Sequence, residues 1–171
     1  MSTRSPGARK ATLAVHVVSS VGWLGAVATY LALAVLVVTA PSAVRVATLL
    51  ESMRTLVWVV LLPAAALSFL SGLVSSWLSP WGLFRHYWVT VKFGVSLLCV
   101  AVLAMYTQDI QVAVDGASRL PAAGTVPAGL GDPSHAVHAA AALVVLTVTT
   151  ALAVYKPKGQ LPRESRRAEV A

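Results

Sequence analysis

Four stretches of this chain stay apolar for about twenty residues or more, the length an α-helix needs to cross the roughly 30 Å hydrocarbon core of a bilayer. The first runs from about Ala11 to Val38, the second from about Thr55 to Trp77, the third from about Tyr87 to Tyr106 and the fourth from about His135 to Tyr155. In lipid each segment must satisfy its own backbone hydrogen bonds, so such runs fold as helices. Composition points the same way. Hydrophobic residues make up 57% of the chain and charged residues 11%, against roughly 25% charged in an ordinary soluble domain. The expected fold is all-α, a polytopic membrane protein. A four-transmembrane-helix bundle spans residues 11–155, between basic tails at 1–10 and 156–171.

The first run is too long for the apolar core of a signal peptide and is expected to be retained, although Thr39 to Ala43 imitates a cleavage region. Pro63 falls inside the second run, where a neighbouring group must satisfy the carbonyl it frees. Before that run, Val44, Ala47, Leu50 and Met53 recur near helical spacing. They predict a short interfacial helix or an extension of the second helix. Between Gln108 and Ser134, seven glycines and prolines (Gly116, Pro121, Gly124, Pro127, Gly129, Gly131 and Pro133) predict an irregular connection. No internal repeat is present, which counts against a transporter built from inverted halves.

The net charge of +7 comes from 13 Lys and Arg against 6 Asp and Glu. All the basic residues but Lys92, which is inside the third run, lie between or beyond the apolar runs. They are therefore assigned to topology and to anionic lipid headgroups, with no nucleic-acid partner. Arg4, Arg9, Lys10, Arg85, Lys156, Lys158, Arg163, Arg166 and Arg167 fall on one side, and Arg45, Arg54 and Arg119 on the other. Nine against three places both termini in the cytoplasm. Trp77, Trp81, Tyr87, Trp88 and Tyr155 then mark the inner interface, and Trp58 and Tyr106 the outer one.

Helices in lipid associate through close packing rather than through the hydrophobic effect. Ala64, Ser68, Gly72 and Ser76 recur every four residues and form a stripe against which another backbone can approach. Ser71 and Ser75 widen it, and the pairs Gly22 with Ala26 and Gly25 with Thr29 repeat the pattern on the first helix.

Titratable groups inside a bilayer are costly and are functional candidates by default. His16 sits about six residues into the first helix, with Ser19, Ser20 and Trp23 on its face. Lys92 sits about five residues into the third helix, at similar depth from the same side, with Ser96 and Cys99 on its face. The two are expected to meet inside the bundle. His16, as a neutral imidazole, would ligate an iron or orient a redox cofactor, and Lys92 would bind an acidic group or serve as second ligand. The plainer account is that Lys92 snorkels to headgroups and His16 donates to a carbonyl. Arg85 and His86, set among Trp81, Phe84, Tyr87 and Trp88, fit either lipid anchoring or a clamp for an anionic ligand such as a cofactor propionate.

His135 and His138 share a face at the start of the fourth helix and resemble half of a metal site. A helix-start role with Asp132 or Ser134 as cap is the competing account. They should lie roughly 15 Å or more from His16, too far for one iron to bridge. Cys99 is the single cysteine, so an internal disulfide and a Cys-based metal cage are excluded. No Gly-rich phosphate loop, nucleophile elbow, H-E-x-x-H or C-x-x-C occurs. No Asp or Glu lies within a predicted span, and the three methionines are too scattered for a copper-conducting stripe.

The segments His16–Gly25 and Pro80–Lys92 resemble those of small, uncharacterised bacterial integral membrane proteins, a likeness that spans all four helices. More distantly, the chain resembles HemJ-type protoporphyrinogen oxidases and CopD-type copper-resistance membrane proteins. These open with a helix carrying His followed by Trp and small residues, here His16, Trp23 and Gly25. The HemJ type also has an aromatic residue shortly before a lysine, here Trp88 and Lys92. That resemblance implies haem b at His16 and Lys92, and the bacterial one implies a multi-pass protein of the inner membrane. The loops depart from both families. With no complete catalytic set, the sequence favours a non-enzymatic scaffold or partner subunit, as a homo-oligomer or with a membrane partner. The alternative is a b-type haem-binding oxidoreductase or haem-handling protein.

Overall fold

The computed structural model describes residues 6–78, 86–121 and 131–155. These residues are helical apart from their short connections, and no β-strand occurs among them. We number the helices α1 (Pro6–Val38), α2 (Ala43–Leu78), α3 (Tyr87–Ser118) and α4 (Ser134–Tyr155). All four are long and apolar enough to cross a membrane. α1 packs against α2 and α4, and α3 also packs against α2 and α4, so the helices close a ring in which each has two principal neighbours.

Several boundaries differ from expectation. α1 begins at Pro6 rather than near Ala11 and so takes up Arg9 and Lys10, which had been assigned to a tail. Proline suits a first helical turn, where its missing N–H would have had no partner anyway. Residues 43–53 are the extension of the second helix, not a separate interfacial piece. Ser42 starts it, its hydroxyl accepting from the Arg45 N–H. Pro63 leaves its mark one turn upstream. It has no N–H to give the Val59 carbonyl, and the backbone over Val57–Leu61 widens to a π-turn in which the Leu62 N–H reaches the Val57 carbonyl.

The irregular connection expected from Gln108 is helix as far as Ser118. Ile110, Val114 and Ala117 recur at helical spacing, with Ile110 and Ala117 buried, and this stretch packs against the first half of α2. Gly116 is tolerated there at a cost of about 1 kcal/mol. The stretch 122–130, which holds Gly124, Pro127 and Gly129, lies outside the described residues.

The tightest packing is at the end of the bundle where α1 finishes. Val46, Leu50 and Met53 of α2 and Ile110 of α3 have almost no exposed surface. Elsewhere the helices turn large apolar side chains outward, Val18, Leu98 and Met105 among them. At the start of α4 the buried Tyr30 hydroxyl lies 2.9 Å from His135 Nδ1, and Tyr106 stands edge-on to the same imidazole. His138 bonds the Ser134 carbonyl through Nδ1 at 2.8 Å, and Asp132 accepts from the Ser134 N–H. The helix-start role therefore accounts for this cluster. No group of three metal-ligating side chains occurs among the described residues. Tyr30→Phe should lower stability by about 1 kcal/mol, the worth of one neutral hydrogen bond. Thermal unfolding in mild detergent measures it, and an unchanged midpoint would show the bond to be idle.

Candidate functional site: a cleft between the four helices

At the opposite end, where α1 begins, the four helices part around a cleft of about 440 Å³. α1 contributes Arg9, Leu13, His16, Ser20 and Trp23, at intervals of four and three that keep one helical face turned inward. α2 contributes Ser68, Phe69, Gly72, Leu73, Ser75 and Ser76. α3 supplies Trp88, Val89, Lys92, Phe93 and Ser96, and α4 supplies Leu146, Thr149, Thr150 and Ala153.

His16 is the most constrained group in the cleft. Its Nδ1 lies 3.0 Å from the Ser68 carbonyl oxygen and 3.3 Å from Ser71 Oγ. A carbonyl oxygen only accepts, so Nδ1 carries the proton and donates it. Ser71 gives its own hydroxyl proton to the Leu67 carbonyl at 2.6 Å, leaving its oxygen free to accept from His16 as well. In a neutral ring the lone pair is then on Nε2, which makes no hydrogen bond to any described residue. An imidazole held in this way presents one basic nitrogen in a fixed direction, as metal-ligating histidines do.

Gly72 makes the seat for that ring. A Cβ built on Gly72 would stand 2.8 Å from His16 Cε1 and 3.2 Å from Nδ1. The small-residue stripe of α2 thus admits a side chain, where the sequence suggested another backbone. Ser68 extends the contact, its hydroxyl lying 2.7 Å from Ser20 Oγ. Ser19, on the flank of the His16 face, bonds back to the Val15 carbonyl at 2.8 Å.

Lys92 lines the same cleft and is half-buried. Phe69 and Phe93 meet beside it with ring centroids 5.2 Å apart, tying α2 to α3. Cys99, two turns beyond Lys92 on the same helix, packs against the apolar core. His86 precedes α3, its carbonyl receiving the Val89 and Thr90 N–H groups, and it is not among the residues that line the cleft. Arg85 lies outside the described residues. Sequence reasoning missed Arg9, Thr149 and Thr150. Arg9 was legible in principle, because the interval that links His16, Ser20 and Trp23 continues backward through Leu13 to Arg9.

The lining is chemically one-sided. Arg9 and Lys92 bring two cations and His16 a donor nitrogen, while seven serine and threonine hydroxyls and four aromatic rings supply most of the rest. Among the described residues no carboxylate lines the cleft. Comparison with protein-family models, curated proteins and solved structures finds no match for this chain. Fold and cleft therefore define a class: an all-helical bundle with four helices fit to cross a membrane and a basic, hydroxyl-rich cleft at one end.

Proposed function

We propose that this chain is a multi-pass protein of the bacterial inner membrane, with both termini cytoplasmic, whose cleft binds an anionic ligand. The excess of Lys and Arg on the side of the termini supports that orientation, and it places the cleft toward the cytoplasmic leaflet. What carries the binding reading is the His16 Nδ1–H bond to the Ser68 carbonyl, which leaves Nε2 as a lone-pair donor beside Lys92.

Among cofactors the residues fit haem b best. His16 Nε2 would ligate the iron, Lys92 would meet an acid group or serve as a second ligand, and Trp23, Phe69, Trp88 and Phe93 would pack against the macrocycle. The volume of the cleft falls within the roughly 300–1,000 Å³ of ligand sites generally. Haem, when bound, supplies one-electron redox chemistry. The chain's own part is to hold the imidazole in one tautomer, to set positive charge beside it, and to close the deep end of the cleft with Trp23 and Leu146.

The test is the absorption spectrum of the protein purified in mild detergent after expression with haem supplied. An intense Soret band is expected, and a colourless protein would remove the haem reading. Lys92→Met separates the lysine's roles, since a variant that keeps the band unchanged would leave Lys92 as a snorkelling residue. A non-enzymatic partner subunit is the second reading. It is favoured by Gly22 and Gly25, whose exposed face on α1 has nothing within 4 Å of an added Cβ and leaves room for a neighbouring helix.

A further inference from the structure

The cleft holds two cations that nothing in the described structure neutralises. Arg9 and Lys92 both line it, and neither makes an ion pair or hydrogen bond with a described residue. The one ion pair among the described residues, Arg54 with Glu51, lies at the other end of the bundle. No described residue brings a carboxylate to the cleft. Ser75 adds a third unmet demand, because its hydroxyl oxygen is shut away from solvent with no hydrogen-bond partner. Buried polar atoms are rarely left so, and where they are, a missing partner is the first explanation.

The cations are also staggered. Arg9 stands at the mouth, two turns before His16 on the same face of α1, which separates their levels by about 10 Å. Lys92 stands inside, with His16. Between those levels the walls carry Leu13, Val89 and Ala153, interrupted on α2 by the hydroxyls of Ser75 and Ser76.

We infer that Arg9 is a ligand-binding residue and that the ligand carries two acidic groups on an apolar body, one met by Arg9 at the mouth and the other by Lys92 inside. The inference rests on reading the cleft as a ligand site and names the chemical class that site takes. A single acid would leave one cation unpaired, and a zwitterion would set a positive group against Arg9 or Lys92. A diacid matches both cations and leaves its chain against Leu13, Val89 and Ala153.

The probe is dodecanedioate against dodecanoate, titrated calorimetrically into the full chain in a non-ionic detergent. The diacid should bind at least tenfold more tightly than the monoacid. Arg9→Gln and Lys92→Gln should each abolish that preference, while Arg45→Gln, at the far end, should leave it intact. Equal affinities, binding of neither probe, or a preference that survives both cleft substitutions would overturn the inference. Failure of the haem reading is told apart by colour. A colourless protein that prefers the diacid sinks haem alone, and a Soret-bearing protein with no such preference sinks the diacid alone.

Discussion

Gly72→Val is expected to empty the cleft as completely as His16→Ala does. In the His16 variant the donor nitrogen is gone, so a Soret band in the parent protein should vanish. In the Gly72 variant every cleft-lining polar group is still present, yet the ring has lost its seat. Even a Cβ at that position would stand 2.8 Å from His16 Cε1, and the two further methyl groups of valine add to the clash. The ring must swing away from α2, which breaks its bond to the Ser68 carbonyl. That frees the proton to sit on either nitrogen, and the direction of the lone pair is no longer set. A loss of ligand affinity of about ten- to a hundredfold is expected, in line with removing a second-shell partner at a metal-ligating histidine. Titration of the purified variant with haem checks it, alongside a ¹⁵N spectrum that reads the His16 tautomer directly. Unchanged affinity with the Nδ1–H tautomer retained would show that the ring does not depend on Gly72.

The second large effect is on stability. Leu50→Ala should cost about 2–5 kcal/mol, the range for deleting a fully buried leucine side chain. Leu50 is 1% exposed, in the half of α2 that packs on the end of α3. Leu98, at 63% exposed on α3, should change stability by less than about 0.5 kcal/mol when replaced by alanine. The contrast has a physical source. Around Leu50 the outward positions carry Arg45, Thr48, Glu51 and Ser52, a polar surface suited to water. Burial there draws on the hydrophobic effect, which lipid does not supply between helices. Unfolding in detergent, followed by circular dichroism, compares the two variants. Equal effects would place both leucines in the same surroundings.

The four helices were legible because length and hydropathy alone identify them. Their ends were not. Arg9 and Lys10 looked like a tail because charge interrupts the apolar run, although a helix can carry charge along its first turns once it leaves lipid. Residues 108–118 looked like a loop because Gly116 and the later glycines and prolines weighed on the whole segment. The spacing of Ile110, Val114 and Ala117 was the countervailing sign. For the site, depth counted along two helices was enough to bring His16 and Lys92 together, since α1 and α3 run the same way through the bundle. What depth could not supply was rotation about each helix axis. That is why Gly72, read as a contact for a neighbouring helix, was not also expected to seat a ring.

The helices also differ in reach. α2 and α3, with 36 and 32 residues, extend about 54 and 48 Å, while α4, with 22, extends about 33 Å. A slab with a hydrocarbon core of roughly 30 Å accommodates the shortest rod upright but none of the other three, α1 with its 33 residues included. With the cleft set in the cytoplasmic leaflet, the surplus emerges on the opposite face as a paired stub carrying Arg45, Glu51, Arg54 and Asp115. Such a stub is a rigid handle for an antibody fragment, held by packing that does not involve the cleft. An agent gripping it would report on the protein from the outside without touching the chemistry within.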